Sequence, residues 1–324
     1  MKKKSYGKID EKTVIELTKV SKKLFSGKDG KKRFLIALVL VVCAISAMII
    51  FSEDARNYVF NNAEFVSKQS VDGMLEVHFI DVGQGDSELI IADDGSTMLI
   101  DAGPNSSEAS LLRYLKTNNI EKLDVVVFTH PHEDHIGGGD YILNNIPADK
   151  VIMPDVTANT ATFERLLDAI DKSGADVQIA QSGDTFTLGS ATVKILAPNS
   201  EKYDSLNDYS VVMHLTFGET SFMFTGDAEK KSEYEILAKY PESVLKSDVL
   251  KLGHHGSSTS NSDAFLAAVD PTVAVAECGV DNDYGHPHRE VVRALEKLNI
   301  KLFRTDKDGS VIILSDGKNI VSSK

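Results

Sequence analysis

The chain has 324 residues, 42% of them apolar and 26% charged, and a formal net charge of −13: enough material for one large globular domain or two small ones, and too apolar for a disordered chain. Residues 1–33 hold twelve Lys/Arg and four acids, a local charge of +8, so residues 34–324 carry −13 − 8 = −21. A body that acidic repels polyanions at long range and is not a passive nucleic-acid-coating protein.

Residues 1–33 read as a short basic cytoplasmic tail. "FLIALVLVVCAISAMIIF", Phe34 to Phe51, has 18 residues and no charge. At about 1.5 Å per residue it spans roughly 27 Å, close to a bilayer core. A signal-peptide core is shorter, about 7–15 residues, and no clear small-residue cleavage site follows Met48. Residues 34–51 are therefore predicted to be a transmembrane helix. Lysines before it and Glu53 and Asp54 after it place the N-terminus inside and the body outside the cell membrane, a single-pass arrangement. Cys43 in the span and Cys278 in the body can hardly pair, so no disulfide framework is expected. Residues 52–73 have little apolar pattern and read as a linker.

From Met74 the pattern is strand, turn, strand: "MLEVHFIDV", then "SELIIADDGSTMLIDAG" with an Asp-Gly turn inside it. Ser107–Asn118 is predicted helical, and "LDVVVFTH" is a near-continuous apolar strand of the kind buried on both faces. Helices follow over 137–145 and 162–173. "DYSVVMHLTFGETSFMFTGD" reads as a hairpin about Gly218 and Glu219. Residues 228–240, 262–268 and 289–298 are predicted helical, with "SDVLKLG" and "TVAVAECG" as strands between them. "KLFRTD" and "SVIILSD" are expected to close the chain as a hairpin through Lys307, Asp308 and Gly309. The whole of 74–324 is thus an α/β domain of mixed strands with helices set between them, which suggests sheets sandwiched by helices.

Five of the six residues from 130 to 135 are titratable: "HPHEDH". The loop follows a buried strand, where α/β proteins place ligands. His130 and His132 are two apart and project to one side in extended backbone. Asp134 and His135 follow where the chain turns into a helix and can face a second nearby point. Two imidazoles one way, then a carboxylate and an imidazole another, suit two adjacent metal ions such as Zn²⁺, Mn²⁺ or Fe. Without a metal, so many titratable groups in an apolar corner would be costly. His78 and His214 lie in strands, opposite apolar neighbours, and are expected to be half-exposed.

H-x-H-x-D-H after a buried strand resembles the signature of the metallo-β-lactamase fold hydrolases. The resemblance implies an αββα sandwich, two mixed sheets flanked by helices, with further ligands in order along the chain. It assigns Asp101 in "LIDAGP" as support for the metal loop. It makes Asp227 in "MFTGDAE" the carboxylate that bridges both metals. His254 in "KLGHHGSSTS" becomes the last ligand, with His255 as the alternative and a candidate catalytic group. Many members carry a histidine before the "TGD" strand; here Asn207 or Asp208 stands in that place, which loosens the first metal site.

"HFIDVGQGDSELI", "THPHEDHIGG", "NDYSVV", "LKLGHHGSSTS", "YGHPH" and "FRTDKDGSVII" resemble, more narrowly, the hydrolase domain of ComEC, the competence DNA-uptake channel. What this implies is phosphodiester cleavage, of DNA or another diester, by two divalent ions (Zn²⁺ or Mn²⁺) that hold a hydroxide between them. In that scheme Asp134 is both ligand and catalytic carboxylate. His286 or His288 is a candidate proton donor to the leaving oxygen, or else part of a structural turn about Pro287. Ser257, at an expected helix start, and Lys251 are candidate phosphate contacts; a solvated strand lysine is the equal alternative for Lys251. In "DVGQGDS", Asp81 and Asp86 are supporting residues, with Asp86 anchoring a metal-loop histidine. The body shows no basic patch with interleaved aromatics, and the chain has no Trp for base stacking. The same fold cleaves other bonds, so a lactam, a lactone or a choline-type phosphoester is the rival substrate, and a tethered binding module the rival class.

Overall fold

Alternation of period two decides which side of each strand enters the core. The structure, a computed structural model, describes residues 73–323; the expected tail, the expected membrane span over 34–51 with Cys43, and most of the expected linker lie outside the described residues. In β1 (Leu75–Phe79), Leu75, Val77 and Phe79 face one cluster of apolar side chains. In β4 (Leu123–Val127), Val125 and Val127 join the same cluster while Val126 points into another. That strand is apolar on consecutive positions because both of its faces are covered.

Two mixed sheets result. The first orders β15 (Ile320–Ser322), β14 (Val311–Ser315), β1, β2 (Glu88–Ile91), β3 (Thr97–Ile100), β4, β5 (Ala148–Met153) and β6 (Asp176–Ile179). The second orders β13 (Lys301–Arg304), β12 (Val273–Ala276), β11 (Val249–Lys251), β10 (Thr220–Phe224), β9 (Val212–Phe217), β8 (Ala191–Ala197) and β7 (Thr185–Leu188). Each sheet is antiparallel at one end and parallel at the other: β3 to β6 run parallel in the first, β10 to β13 in the second. The sheets share one core, with Val77, Phe79 and Val127 from the first and Met213, Phe222 and Phe224 from the second.

Helices cover both outer faces, completing four layers. Glu108–Thr117 and Ala161–Ser173 bury Leu111, Leu115, Phe163 and Leu166 against the first sheet. Lys230–Lys239, Asp263–Val269 and Arg289–Lys297 bury Ile236, Phe265, Val291 and Leu295 against the second. Helix 161–173 starts where Thr160 accepts a hydrogen bond from the Phe163 amide at 3.2 Å, as an N-cap should. The αββα expectation stands.

Several expectations need correction. The closing hairpin does not form. β13 pairs in parallel with β12 in the second sheet, and β14 pairs antiparallel with β1 in the first. The short helical turn Thr305–Asp308 carries the chain across the sandwich, tied by Thr305 to the backbone of Cys278. Phe303 and Val311 face the same core from opposite sheets, so alternation alone does not distinguish a crossover from a hairpin. Strands β5 to β8 lie where the pattern assigns no element; β6 is an edge with Val177 and Ile179 exposed, so it shows no buried alternation. His78 and His214 are buried, not half-exposed. The outer face of each strand lies under other structure: His78 Nδ1 is 2.9 Å from the Tyr114 hydroxyl, and His214 Nε2 is 3.1 Å from the Lys246 carbonyl.

Candidate metal centre

One edge of the sandwich collects the titratable groups, at the carboxyl ends of strands, where loops of α/β sheets converge on ligands. Asp101 follows β3, the histidine loop follows β4, Asp227 follows β10, His254 and His255 follow β11, and Glu277 and His286 follow β12; the β1–β2 loop adds Asp86. A cleft of about 690 Å³ opens there, lined among others by Gln84, Glu133, Asn207, Tyr284 and His286.

Asp227 Oδ2 is the focus. His135 Nε2 lies 3.3 Å from it, His255 Nε2 3.6 Å, His254 Nε2 3.7 Å and His130 Nε2 3.9 Å. His132 Nδ1 is 2.9 Å from His130 Nε2, and Asp134 Oδ2 is 3.2 Å from His255 Nε2. The expected ligands His130, His132, Asp134, His135, Asp227 and His254 therefore meet, and His255 joins them.

The far nitrogens are engaged, which sets the rings. His135 Nδ1 donates to Asp101 Oδ2 at 2.7 Å, while Asp101 also accepts from the Thr129 amide (2.8 Å) and hydroxyl (2.6 Å). His255 Nδ1 donates to the Glu277 carbonyl at 2.9 Å and lies 3.0 Å from Asp86 Oδ1. With Nδ1 held as a donor, each Nε2 is turned to the centre, where it can ligate a metal once deprotonated.

The turn that presents His254 and His255 is strained. Both have left-handed backbone, φ 51° and 55°, at a cost of about 1–2 kcal/mol per residue for side chains with a Cβ. Asn261 clamps it, accepting from the Gly253 amide and donating to the carbonyls of Gly253 and Ser257. Gly256 closes the turn at φ 85°, where a Cβ would meet Pro287 at 2.5 Å. Gly85 has a parallel part at the histidine loop: a Cβ there would stand 2.2 Å from the Asp134 carbonyl. Strain of this kind persists only where the surroundings fix it, and it collects at functional sites.

Charge explains the titration of the cluster. Burial works against the Asp227 carboxylate, yet His255, His135 and His130 hold it well below the usual range. Burial likewise opposes the Asp134 carboxylate, but His135 and His255 keep it low. Burial alone would lower His255; Asp227, Asp86 and Asp134 push it up to about 10. His135 rises well above its ordinary value for the same reason, its pull coming from Asp227, Asp86, Asp101 and Asp134. Burial and His135 hold His130 well below 6.5. The carboxylates thus favour positive charge at the centre. Asp86, His135, Asp227 and His255 converge closely enough to hold a cation. Among the described residues His135 Nε2 and Asp227 Oδ1 are buried without a hydrogen-bond partner, a cost that a bound cation removes. Imidazole and carboxylate donors together fit a divalent transition metal.

Other expected residues fall elsewhere. Of the pair considered for the missing histidine, Asn207 faces the cleft, 3.4 Å from His254 Nδ1, whereas Asp208 turns away to accept from the amides of Glu229 and Ser232. Asp81 is exposed and caps its own turn through the Gly83 amide. Asp86 anchors a histidine, but it is His255 on the turn after β11, through the 3.0 Å contact above, and not one of the 130–135 loop, where His135 Nδ1 bonds Asp101 and stands 3.6 Å from Asp86. Lys251 is neither a substrate contact nor a solvated lysine: it is fully buried, paired with Asp86 and the Gly226 carbonyl. Ser257 is buried, its hydroxyl on Thr259, and the helix begins only at Asp263, with Ser262 as its cap. His288 spends both ring nitrogens, on the Ser258 amide and the Tyr284 carbonyl, so it has no proton to offer. His286 lines the cleft, where burial and His255 lower it to about 4.

Sequence reasoning missed Glu88 and Glu277, which stand with Asp86 in a second buried group beneath the centre. Burial and the neighbouring carboxylates push Glu88 up to about 8, and burial and Glu88 push Glu277 well above the carboxylate range. The available signal was an acid inside each of two apolar runs, "SELII" and "AVAECG".

The profile of the family described as "Metallo-beta-lactamase superfamily" matches residues 80–279. "ComE operon protein 3" of Bacillus subtilis (strain 168) is 30% identical over 253 residues, covering 73% of this chain and 32% of that protein. "Recombination protein 2" of Haemophilus influenzae is 31% identical over 244 residues, 73% of this chain and 28% of that protein. "Competence protein ComA" of Neisseria gonorrhoeae is 31% identical over 232 residues, 71% and 31% respectively. The chain spans about a third of the length of these curated relatives.

Proposed function

Because this chain belongs to the metallo-beta-lactamase superfamily, a family of metal-dependent hydrolases, and resembles within it the ComEC-type hydrolase domain, we propose that its cleft hydrolyses phosphodiesters, with DNA as the natural class. The observation that carries the reading is the convergence of four imidazole Nε2 atoms within 3.9 Å of Asp227 Oδ2. A carboxylate shared in this way suits two cations. His130, His132 and His254 would hold one, and Asp134, His135 and His255 the other, with Asp227 between them; His254 then supplies the third nitrogen that Asn207 lacks. Bound divalent ions, Zn²⁺ or Mn²⁺, would supply Lewis acidity and a water deprotonated near neutral pH.

The remaining steps belong to the chain's own residues. Asp101 and Glu277 hold the His135 and His255 rings in the tautomer that points Nε2 inward. His286, neutral at pH 7, offers the leaving oxygen a hydrogen bond rather than a stored proton. Among the described residues no lysine or arginine lines the cleft, so the diester's negative charge is met by the cations, and substrate binding is metal-dependent. The competence and recombination names of the relatives favour DNA. The acid-lined cleft favours the second reading, a small neutral substrate such as a lactam or lactone.

Turnover of bis-p-nitrophenyl phosphate, a DNA oligonucleotide and nitrocefin by the full chain with Mn²⁺ or Zn²⁺ separates these readings. Diester turnover that falls at least ~100-fold in His132→Ala is expected. Nitrocefin turnover alone transfers the site to the second reading. Neither turnover nor bound metal by elemental analysis leaves a tethered binding module. The tether is part of the proposal: residues 34–51 anchor the domain, outside the cell, and alkaline extraction that frees the full chain from membranes would refute it.

A further inference from the structure

A ladder of rings leads from the metal centre to the rim of the cleft. His286 lies 5.8 Å from His255 with 31° between planes, and Tyr284 stacks on His286 at 5.6 Å and 18°. All three line the cleft. Tyr284 is nevertheless 66% exposed, and Val280, four residues earlier on the same loop, is 70% exposed. Among the described residues no hydrogen bond engages the Tyr284 hydroxyl, whose residue interacts only through its ring and its carbonyl.

The ring is not on a loose loop. Asn282 Nδ2 donates to the carbonyls of Gly279 (3.0 Å) and His286 (2.8 Å), and its Oδ1 accepts from the His286 amide (2.9 Å). His288 Nε2 binds the Tyr284 carbonyl at 3.1 Å, and Gln84 accepts from the Gly279 amide at 3.1 Å. A fixed backbone thus presents an aromatic face at the mouth of the site. A cleft of about 690 Å³ holds far more than a phosphate and falls in the range of about 300–1,000 Å³ usual for ligand sites. With no lysine or arginine among the described residues of its wall, that wall gains no affinity by neutralising further phosphates. Stacking is the strong interaction its wall still offers.

Resting on the diesterase reading above, we propose that Tyr284 is a specificity-determining residue whose ring stacks a nucleobase beside the scissile phosphodiester, so that the substrate is an unstacked, base-bearing strand and not a bare phosphodiester. Every base has a π face, so such a platform tolerates any sequence. A duplex keeps its bases inside, so single strands and frayed ends are preferred.

The test compares a short thymidine oligonucleotide with its counterpart carrying abasic sites on both sides of the cleaved linkage, using the full chain with Mn²⁺. Wild type and Tyr284→Phe are expected to show a KM about 5- to 140-fold lower for the base-bearing strand, the fold-change of stacking worth about 1–3 kcal/mol at about 1.4 kcal/mol per tenfold. Tyr284→Leu and Tyr284→Ala are expected to lose that ratio through KM for the base-bearing strand. Equal KM values in the wild type overturn the platform alone. A ratio that survives in Tyr284→Leu and Tyr284→Ala, with both substrates slowed alike, shows a ring that merely packs His286 and also overturns it. No turnover of either strand overturns the diesterase reading and the platform together.

Discussion

Lys251→Met removes a buried cation while keeping most of its volume, and it isolates the electrostatics beneath the metal centre. Lys251 is fully buried against Asp86, with Glu88 and Glu277 beside that carboxylate. Burial works against its ammonium, but Asp86, Asp227, Glu88 and Glu277 hold it charged. Deleting one partner of a buried ion pair costs about 3–5 kcal/mol, because the other charge is left unpaired. The loss should depend on pH. Glu88 has a folded pKa raised to about 8 and that of Glu277 is raised as well. The stability they contribute is fully present below their unfolded pKa and is lost as pH rises through the folded one, even in the wild type. Asp86 behaves oppositely there: its folded pKa is lowered, with Lys251 the largest of the pulls that outweigh burial, so its contribution is lost as pH falls. Without Lys251, Glu88 and Glu277 lose the cation that lowers them and Asp86 loses the largest of its pulls, so the two glutamates weaken the fold more steeply as pH rises, each by up to about 1.4 kcal/mol per pH unit. Urea unfolding followed by circular dichroism in EDTA should show the full loss near about pH 8 and a clearly smaller one near about pH 5. Adding Asp86→Asn should restore more than half of it, since removing both partners of a buried pair is far milder than removing one. A loss under about 1 kcal/mol at the higher pH, or one independent of pH, would refute a paired, buried Lys251.

Gly85→Ala sets a Cβ 2.2 Å from the Asp134 carbonyl at φ 148°; it should cost at least ~2 kcal/mol in urea unfolding and weaken metal binding by calorimetry, because the histidine loop must shift. Asp227→Asn removes the carboxylate shared by four imidazoles, and elemental analysis should find fewer than two metal ions per chain. Thr160→Ala deletes the cap on Phe163, and a loss of about 1 kcal/mol with unchanged metal content is expected. Metal added to the apo chain should raise its melting temperature, by about 2.7 kcal/mol of stability at a hundredfold excess over Kd; no shift would show that the cluster is satisfied without a cation.

The layered fold was legible because it rests on local pattern. The apolar run "LDVVVFTH" announced a strand covered on both faces, and Val125, Val126 and Val127 do divide between two cores. The histidine loop was legible because five titratable groups in six positions after such a strand have few other uses. Patterning failed where exposure removed it, as at β6, and where two topologies bury the same residues, as at the crossover between Phe303 and Val311. The charge of Lys251 was visible in the sequence, but not its direction. Alternation puts it on a strand face, and only the packing of Asp86 and Glu277, from loops at the ends of other strands, decides that this face is closed.

By itself the sequence determined the kinds of groups available and the local backbone that carries them: imidazoles two apart, a carboxylate after a strand, a paired histidine before a glycine. Only the tertiary structure decided which atoms meet. His255 joins Asp134, separated by 121 positions, because the carboxyl ends of strands from two sheets share one edge. Tyr284 becomes part of the cleft wall for the same reason. Spacing along a chain fixes direction over a few residues, whereas convergence over a hundred is set by how sheets pack.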